Sequence, residues 1–103
     1  MTSIPDTQYP GRSECTEYYS LPALLESVRR PSECQEQCQA RGHRFAGVLK
    51  GRHCHCGDHP PPDHLRLAEA ECDTACEGDQ AIPCGGKLAF NLYSMDAGAG
   101  GIF

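Results

Sequence analysis

Ser32-Glu33-Cys34-Gln35-Glu36-Gln37-Cys38 and, six residues on, Phe45-Ala46-Gly47-Val48-Leu49-Lys50-Gly51-Arg52-His53-Cys54-His55-Cys56 decide the fold. The first stretch reads as a helix start. Ser32 can cap, Gln35 three residues later completes a capping box, and Gly42 is a natural stop. The spacing predicts a helix over residues 33–41 with Cys34 and Cys38 on one face, since residues four apart are neighbours on a helix. The second stretch reads as a hairpin. Residues 44–50 form one strand, Gly51-Arg52 fits a two-residue turn with Gly first, and residues 53–56 return. That register sets Leu49 opposite Cys54 and Gly47 opposite Cys56. Phe45, Gly47, Leu49, Cys54 and Cys56 then share the inner face, and Ala46, Val48, His53 and His55 share the outer one. A helix with two cysteines on one face and a hairpin with two on one face imply a helix laid across the hairpin and bolted by two bridges.

Working outward, Cys15, Cys72, Cys76 and Cys84 bring the count to eight in 103 residues. An even count in a short chain is the mark of a disulfide framework and of an extracellular or lumenal setting. Only 39% of the chain is apolar and there is no Trp, so a core of large side chains alone is marginal and cystines supply the remainder. The length suits one domain, expected over residues 14–94, with tails at 1–13 and 95–103. Leu21, Leu24, Leu25 and Val28 have helical spacing, but Pro22 and Pro31 leave room only for a short turn or loop. Pro60-Pro61-Pro62 is a stiff segment of a loop over 57–70, Glu71 or Asp73 starts a turn, 78–86 is a tight loop, and 88–93 alternates as a closing strand. Phe45, Leu49, Phe90 and Leu92 read as core.

The formal charge of −5 argues against a nucleic-acid partner, which calls for a basic stripe. No stretch approaches the length of a membrane span. The first thirteen residues are polar and hold two prolines, unlike a signal peptide, so the chain is expected to be a monomeric module of a longer secreted or membrane-anchored protein. No enzyme is legible. The loop Cys84-Gly85-Gly86-Lys87 lacks the phosphate-loop pattern, and Asp73 with Glu77 reads as a solvated pair. His53-Cys54-His55-Cys56 suggests zinc, but alternation points its histidines and cysteines to opposite faces. A Cys34, Cys38, Cys54 and Cys56 metal site would leave four further cysteines unexplained, so neither metal nor cofactor is expected.

Gly42-His43-Arg44-Phe45-Ala46-Gly47-Val48, Gly51-Arg52-His53-Cys54-His55-Cys56-Gly57-Asp58, Cys72-Asp73 with Cys76 and Gly78, and Cys84-Gly85-Gly86 before a strand with Tyr93 together resemble the WSC domain. The resemblance covers about residues 15–93. It implies a small disulfide-rich α+β fold of the PAN/apple type, one short helix packed on a small antiparallel sheet. It implies the pairing Cys15–Cys72, Cys34–Cys54, Cys38–Cys56 and Cys76–Cys84. It also implies a non-catalytic extracellular module, found in cell-wall sensors and Kremen-type receptors, with glycan binding as its usual assigned role. This chain has Thr16 and His55 where that family usually carries aromatics, and Asp58 where it often has Asn. Sugars pack on exposed rings, so these departures shift weight from a glycan toward an extracellular protein partner or an architectural role. The residues expected to form a ligand-binding patch are His53, His55, Lys50, Arg52 and Asp58 from the hairpin, Tyr18 and Tyr19, and Asn91 and Tyr93 if the closing strand lies beside it.

Overall fold

The structure, a computed structural model, describes residues 13–25 and 27–95. The expected tails fall almost wholly outside the described residues. The elements run β1 (Glu14–Glu17), β2 (Ala23–Leu25), α1 (Pro31–Ala40), β3 (Phe45–Leu49), β4 (His53–Gly57), two short 3-10 turns (Asp63–Leu65 and Glu69–Glu71), β5 (Ala75–Cys76), β6 (Asp79–Pro83) and β7 (Ala89–Ser94). Five strands form one antiparallel sheet in the order β1-β7-β3-β4-β2, and β5 pairs with β6 in a small second one. Among the described residues one α-helix lies on the large sheet, giving the compact disulfide-rich α+β architecture that the family resemblance implies.

The helix starts two residues earlier than expected. Pro31 occupies its first turn, where a missing N–H costs nothing and the fixed φ is already helical, and Arg30 is an extended N-cap. The expected capping box does not form. Glu33 instead reaches back, its Oε1 accepting from the Arg29 N–H at 2.6 Å. The helix stops as expected. Gly42 has φ +85°, its N–H donates to the Gln39 carbonyl at 2.9 Å, and the His43 N–H donates to the Cys38 carbonyl at 2.9 Å. That is a Schellman closure, which needs a left-handed residue at this position.

The hairpin register differs from the expected one by a single residue. Leu49 pairs with His53, Val48 with Cys54, Gly47 with His55 and Ala46 with Cys56. The turn includes Lys50 (φ +57°) as well as Gly51 (φ +82°). A slip of one residue moves every side chain of a strand to the other face. Ala46 and Val48, not Phe45 and Leu49, therefore share the helix side with Cys54 and Cys56. Phe45, Gly47 and Leu49 lie on the far side with His53 and His55. Two further segments depart from expectation. Residues 23–25 form an edge strand on β4 rather than a loop, and β6 makes part of the loop over 78–86 regular.

The sheet thus separates two apolar layers. On the helix side Val28, Ala46, Val48, Tyr93 and Met95 pack around buried cystines. On the far side Leu21, Leu49, Phe90 and Leu92 cluster, with Tyr19 and Phe45 against them. The disulfides are Cys15–Cys72, Cys34–Cys54, Cys38–Cys56 and Cys76–Cys84, the pairs the family resemblance implies. Asn91, buried in β7, ties two loops to the sheet. Its Oδ1 accepts from the Gly85 N–H at 2.7 Å and its Nδ2 donates to Ser13 Oγ at 3.1 Å.

Gly85 and Gly42 share a positive φ but not their surroundings. A Cβ at Gly42 would meet nothing, whereas at Gly85 it would collide with the backbone of Val48, Leu49 and Ala89. Gly42→Ala is expected to cost about 1 kcal/mol, the conformational penalty alone. Gly85→Ala is expected to lose several times that, because backbone has to move. Urea unfolding of both variants checks it, and equal losses would show that φ alone decides both sites.

Candidate functional site

The far face of the sheet carries the site because β4 alternates. Cys54 and Cys56 turn to the helix, so His53 and His55 turn away from it. Phe90, fully buried in β7, is the hub of this face. Tyr18 stacks on it with ring centroids 5.2 Å apart and planes at 28°. His55 and Tyr19 meet it edge-on at 5.3 and 5.9 Å, and Tyr18 meets His55 edge-on at 5.8 Å. The Phe90 ring can lie against the sheet because Gly47 beneath it has no side chain. A Cβ there would stand 2.7 Å from the ring.

Above this cluster a groove of about 270 Å³ opens between Tyr18, Leu24, Leu49, Lys50, His53, His55, Lys87 and Leu88. Tyr18, Leu24 and Leu88 are 49%, 62% and 73% exposed, and they are the exposed large apolar side chains among the described residues. All three converge on the groove. The Tyr18 N–H donates to the Leu88 carbonyl at 2.9 Å, which carries the β1–β7 pairing one step further and holds these two side chains together.

Burial holds the His55 imidazole below the ordinary value of 6.5, with nearby His53 adding to the effect and a hydrogen bond to the Leu21 carbonyl opposing it. That bond, 3.5 Å from Nδ1, places the proton on Nδ1 and leaves Nε2 as an acceptor. Burial pushes the Tyr19 hydroxyl up to about 12, and it donates to the His59 carbonyl at 2.9 Å. Tyr19 therefore fastens the Pro-rich loop to the ring cluster.

Of the residues expected to form the patch, Tyr18, Lys50, His53 and His55 meet at the groove, and Tyr19 supports it from below. The other four lie elsewhere. Arg52 faces Glu77 at 3.6 Å. Asp58 accepts from His43 at 3.1 Å and from the Arg44 N–H at 3.2 Å, close to the end of the helix, and the His43 bond holds its carboxyl below the usual range. Asn91 and Tyr93 are buried on the helix side, with the Tyr93 hydroxyl pushed up mainly by burial. Their expected place at the patch is corrected by the pairing of β7 with β3. Phe90 and Leu92 face the groove side, so the residues between and after them cannot. Sequence reasoning missed Leu24, Leu49, Lys87 and Leu88. Leu24 hides in an apparent helical spacing, Leu49 reads as core on the cysteine face, Leu88 reads as the first residue of the closing strand, and Lys87 as the residue before it.

A second concavity of about 450 Å³ lies on the same face beneath the Pro-rich loop, lined by residues that include Pro60, Pro61, Asp63, Arg66 and Glu14. Its one cation is engaged, since Arg66 donates to Glu14 at 3.1 Å. On the helix side the sulfurs of Cys34, Cys38 and Cys54 lie within 4.8 Å of one another. They do so because two cystines lie side by side, and disulfide sulfur has no thiolate to offer a metal. Among the described residues no helix is long and apolar enough to cross a membrane.

The family model for the WSC domain matches residues 12–86. The chain belongs to the WSC domain family. Xylosyltransferase oxt of Drosophila melanogaster is 41% identical over 76 residues, 74% of this chain and 8% of that protein. Kremen protein 1 of Mus musculus is 32% identical over 105 residues, and that of Homo sapiens 33% over 107, each covering 95% of this chain and 22% of that protein. The chain thus spans under a quarter of the length of these relatives. In this WSC domain the sheet runs past the matched span, since β7 is hydrogen-bonded between β1 and β3.

A shift that lowers a histidine pKa on folding has a defined sign. The unfolded state binds more protons between the folded pKa and 6.5, so stability is complete above that window and is lost as pH falls through it. His55→Gln removes this contribution. The drop in urea midpoint between pH 7.5 and pH 5 is expected to be smaller in His55→Gln than in the parent, and the His55 ring resonances of the parent should titrate below 6.5. An unchanged pH dependence would show that the imidazole charges without cost.

Proposed function

We propose that this WSC domain is a non-catalytic extracellular recognition module and that the ring-floored groove docks a partner protein. The observation that carries the reading is the convergence of Tyr18, Leu24 and Leu88. Scattered exposed apolar residues are normal, but a cluster rimmed by polar groups marks an interaction surface. The groove rests on a sheet face whose rings are already locked around Phe90, so little ordering is left for a ligand to impose. The cystines withhold all eight thiols from nucleophilic chemistry. Carbohydrate binding is the second reading, favoured by Tyr18, whose ring is half exposed and backed by Phe90 as a sugar platform would be.

Both readings are tested with the disulfide-intact domain against a panel of extracellular proteins and against insoluble glucan, chitin and mannan. Tyr18→Ala and Leu88→Ser are each expected to weaken capture of a bound protein about tenfold, the effect of removing an anchor. Thermal midpoints should change little for Leu88→Ser, since exposed positions are usually within about 0.5 kcal/mol of neutral. Capture of a polysaccharide lost in Tyr18→Ala but kept in Leu88→Ser selects the glycan reading. Binding that survives both changes and fails only when residues 60–63 are altered sinks the placement of the site.

A further inference from the structure

Lys50 and Lys87 are the only two lysines in the chain, and both line the groove. The surrounding chain is acidic, with 14 Asp and Glu against 9 Lys and Arg. Yet among the described residues no Asp or Glu lines the groove. The ion pairs found among the described residues engage Arg52, Arg66 and His43, and neither lysine takes part in one. The two stems rise from adjoining backbone, because the Lys50 N–H donates to the carbonyl of Gly86 at 3.1 Å. Concave walls of low dielectric focus such a charge.

The backbone of Lys50 adds a second observation. Its φ of +57° makes it the one non-glycine residue among those described with a positive φ. Turns of this kind favour Asn or Gly at that position, since other L-residues are strained there. Lysine in this place sacrifices the easier turn and sends its stem from the tip of the hairpin along the groove rim. An observed backbone outlier of this kind is a ground for inferring function.

We infer that the partner presents an acidic polypeptide segment, an apolar side chain seated among Tyr18, Leu24 and Leu88 and carboxylates on the Lys50 and Lys87 ammonium groups. This rests on the docking reading above. A polypeptide suits the walls better than a saccharide. Leu24, Leu49 and Leu88 are aliphatic, and among the described residues no carboxylate or carboxamide lines the groove to bridge sugar hydroxyls. Two ammonium groups are also far fewer than a nucleic acid calls for.

The experiment pans a random twelve-residue peptide display library on the disulfide-intact domain. Selected peptides are then titrated into the parent, into Lys50→Asn with Lys87→Gln, and into Leu88→Ser. Asparagine tolerates the left-handed conformation, so a loss of binding in the lysine variant is not a loss of fold. The expected result is enrichment of net-negative peptides with one aromatic or aliphatic anchor. Their affinity should fall about tenfold in the lysine variant and fall again as salt is raised. Neutral or basic peptides that need Leu88 but ignore both lysines would overturn the acidic assignment while leaving the docking surface standing. Selected peptides that ignore Leu88 as well would overturn both. A heparin-derived oligosaccharide titrated in parallel separates the remaining source of negative charge. If it shifts the groove resonances in a lysine-dependent way and no acidic peptide does, the occupant is an anionic glycan and the inference is wrong.

Discussion

Two parallel bridges between one helix and one strand set the rest of this structure. Cys34 and Cys38 are one turn apart, a rise of about 6 Å along a helix. Cys54 and Cys56 are two residues apart, about 6.7 Å along a strand. The spans nearly match, so both cystines can close together only when the helix runs along β4 with the cysteine face of the strand turned toward it. The Cα separations, 5.5 Å for Cys34–Cys54 and 5.4 Å for Cys38–Cys56, show the two axes held at constant distance. Once that face is taken, the alternate residues His53 and His55 have no choice but the opposite side. The covalent frame and the candidate site are two consequences of one alternation.

On the far side, order depends on absence of side chain as much as on its presence. Gly47 leaves the space that the Phe90 ring fills, and Phe90 in turn gathers Tyr18, Tyr19 and His55. Leu21 presses on the same glycine and also against Gly57, so the segment between β1 and β2 is drawn down onto the sheet. Tyr19 then pins the Pro-rich loop through the His59 carbonyl. Each step brings a loop toward β3 and β4, and the groove is the space left between them.

The cysteine pattern made the helix-on-hairpin arrangement legible, because helical and strand periodicities leave different spacings that covalent pairing must satisfy. The face of β3 was not legible. Phe45, Ala46, Gly47, Val48 and Leu49 are apolar or small at every position, and in the structure the strand is covered on both sides. Alternation carries no signal when neither face is wet. Only the turn could have fixed the register, and it does so with a lysine at positive φ, a residue that turn chemistry would not select. That one residue accounts for the misplacement of Ala46 and Val48 beside the histidines. The histidines read as facing away from the cystines because their strand alternates plainly between polar and cysteine positions. Asn91 and Tyr93 mislead for another reason. A polar residue and an amphipathic ring look like surface, but β7 is a central strand, and Asn91 is satisfied by the Gly85 N–H and by Ser13.

The same division bears on what the domain can change without unfolding. On the helix side Val28, Val48, Tyr93 and Met95 share one buried cluster with three cystines, and the glycine turn at Gly85 is jammed between backbones. Substitution there disturbs packing at close to crystal density, where even one methylene is felt. Around the groove, by contrast, Tyr18, Leu24, Lys87 and Leu88 stand at strand ends or on an edge strand, with much of their surface in water. The identity of Leu24, Lys87 and Leu88 contributes little to folding, so binding chemistry is free to vary there. Tyr18 and His55 stand between the two regimes, since each is part of the ring cluster and lines the groove as well. Partial burial disfavours the charged form of the His55 imidazole and so ties this surface to the stability of the sheet beneath it.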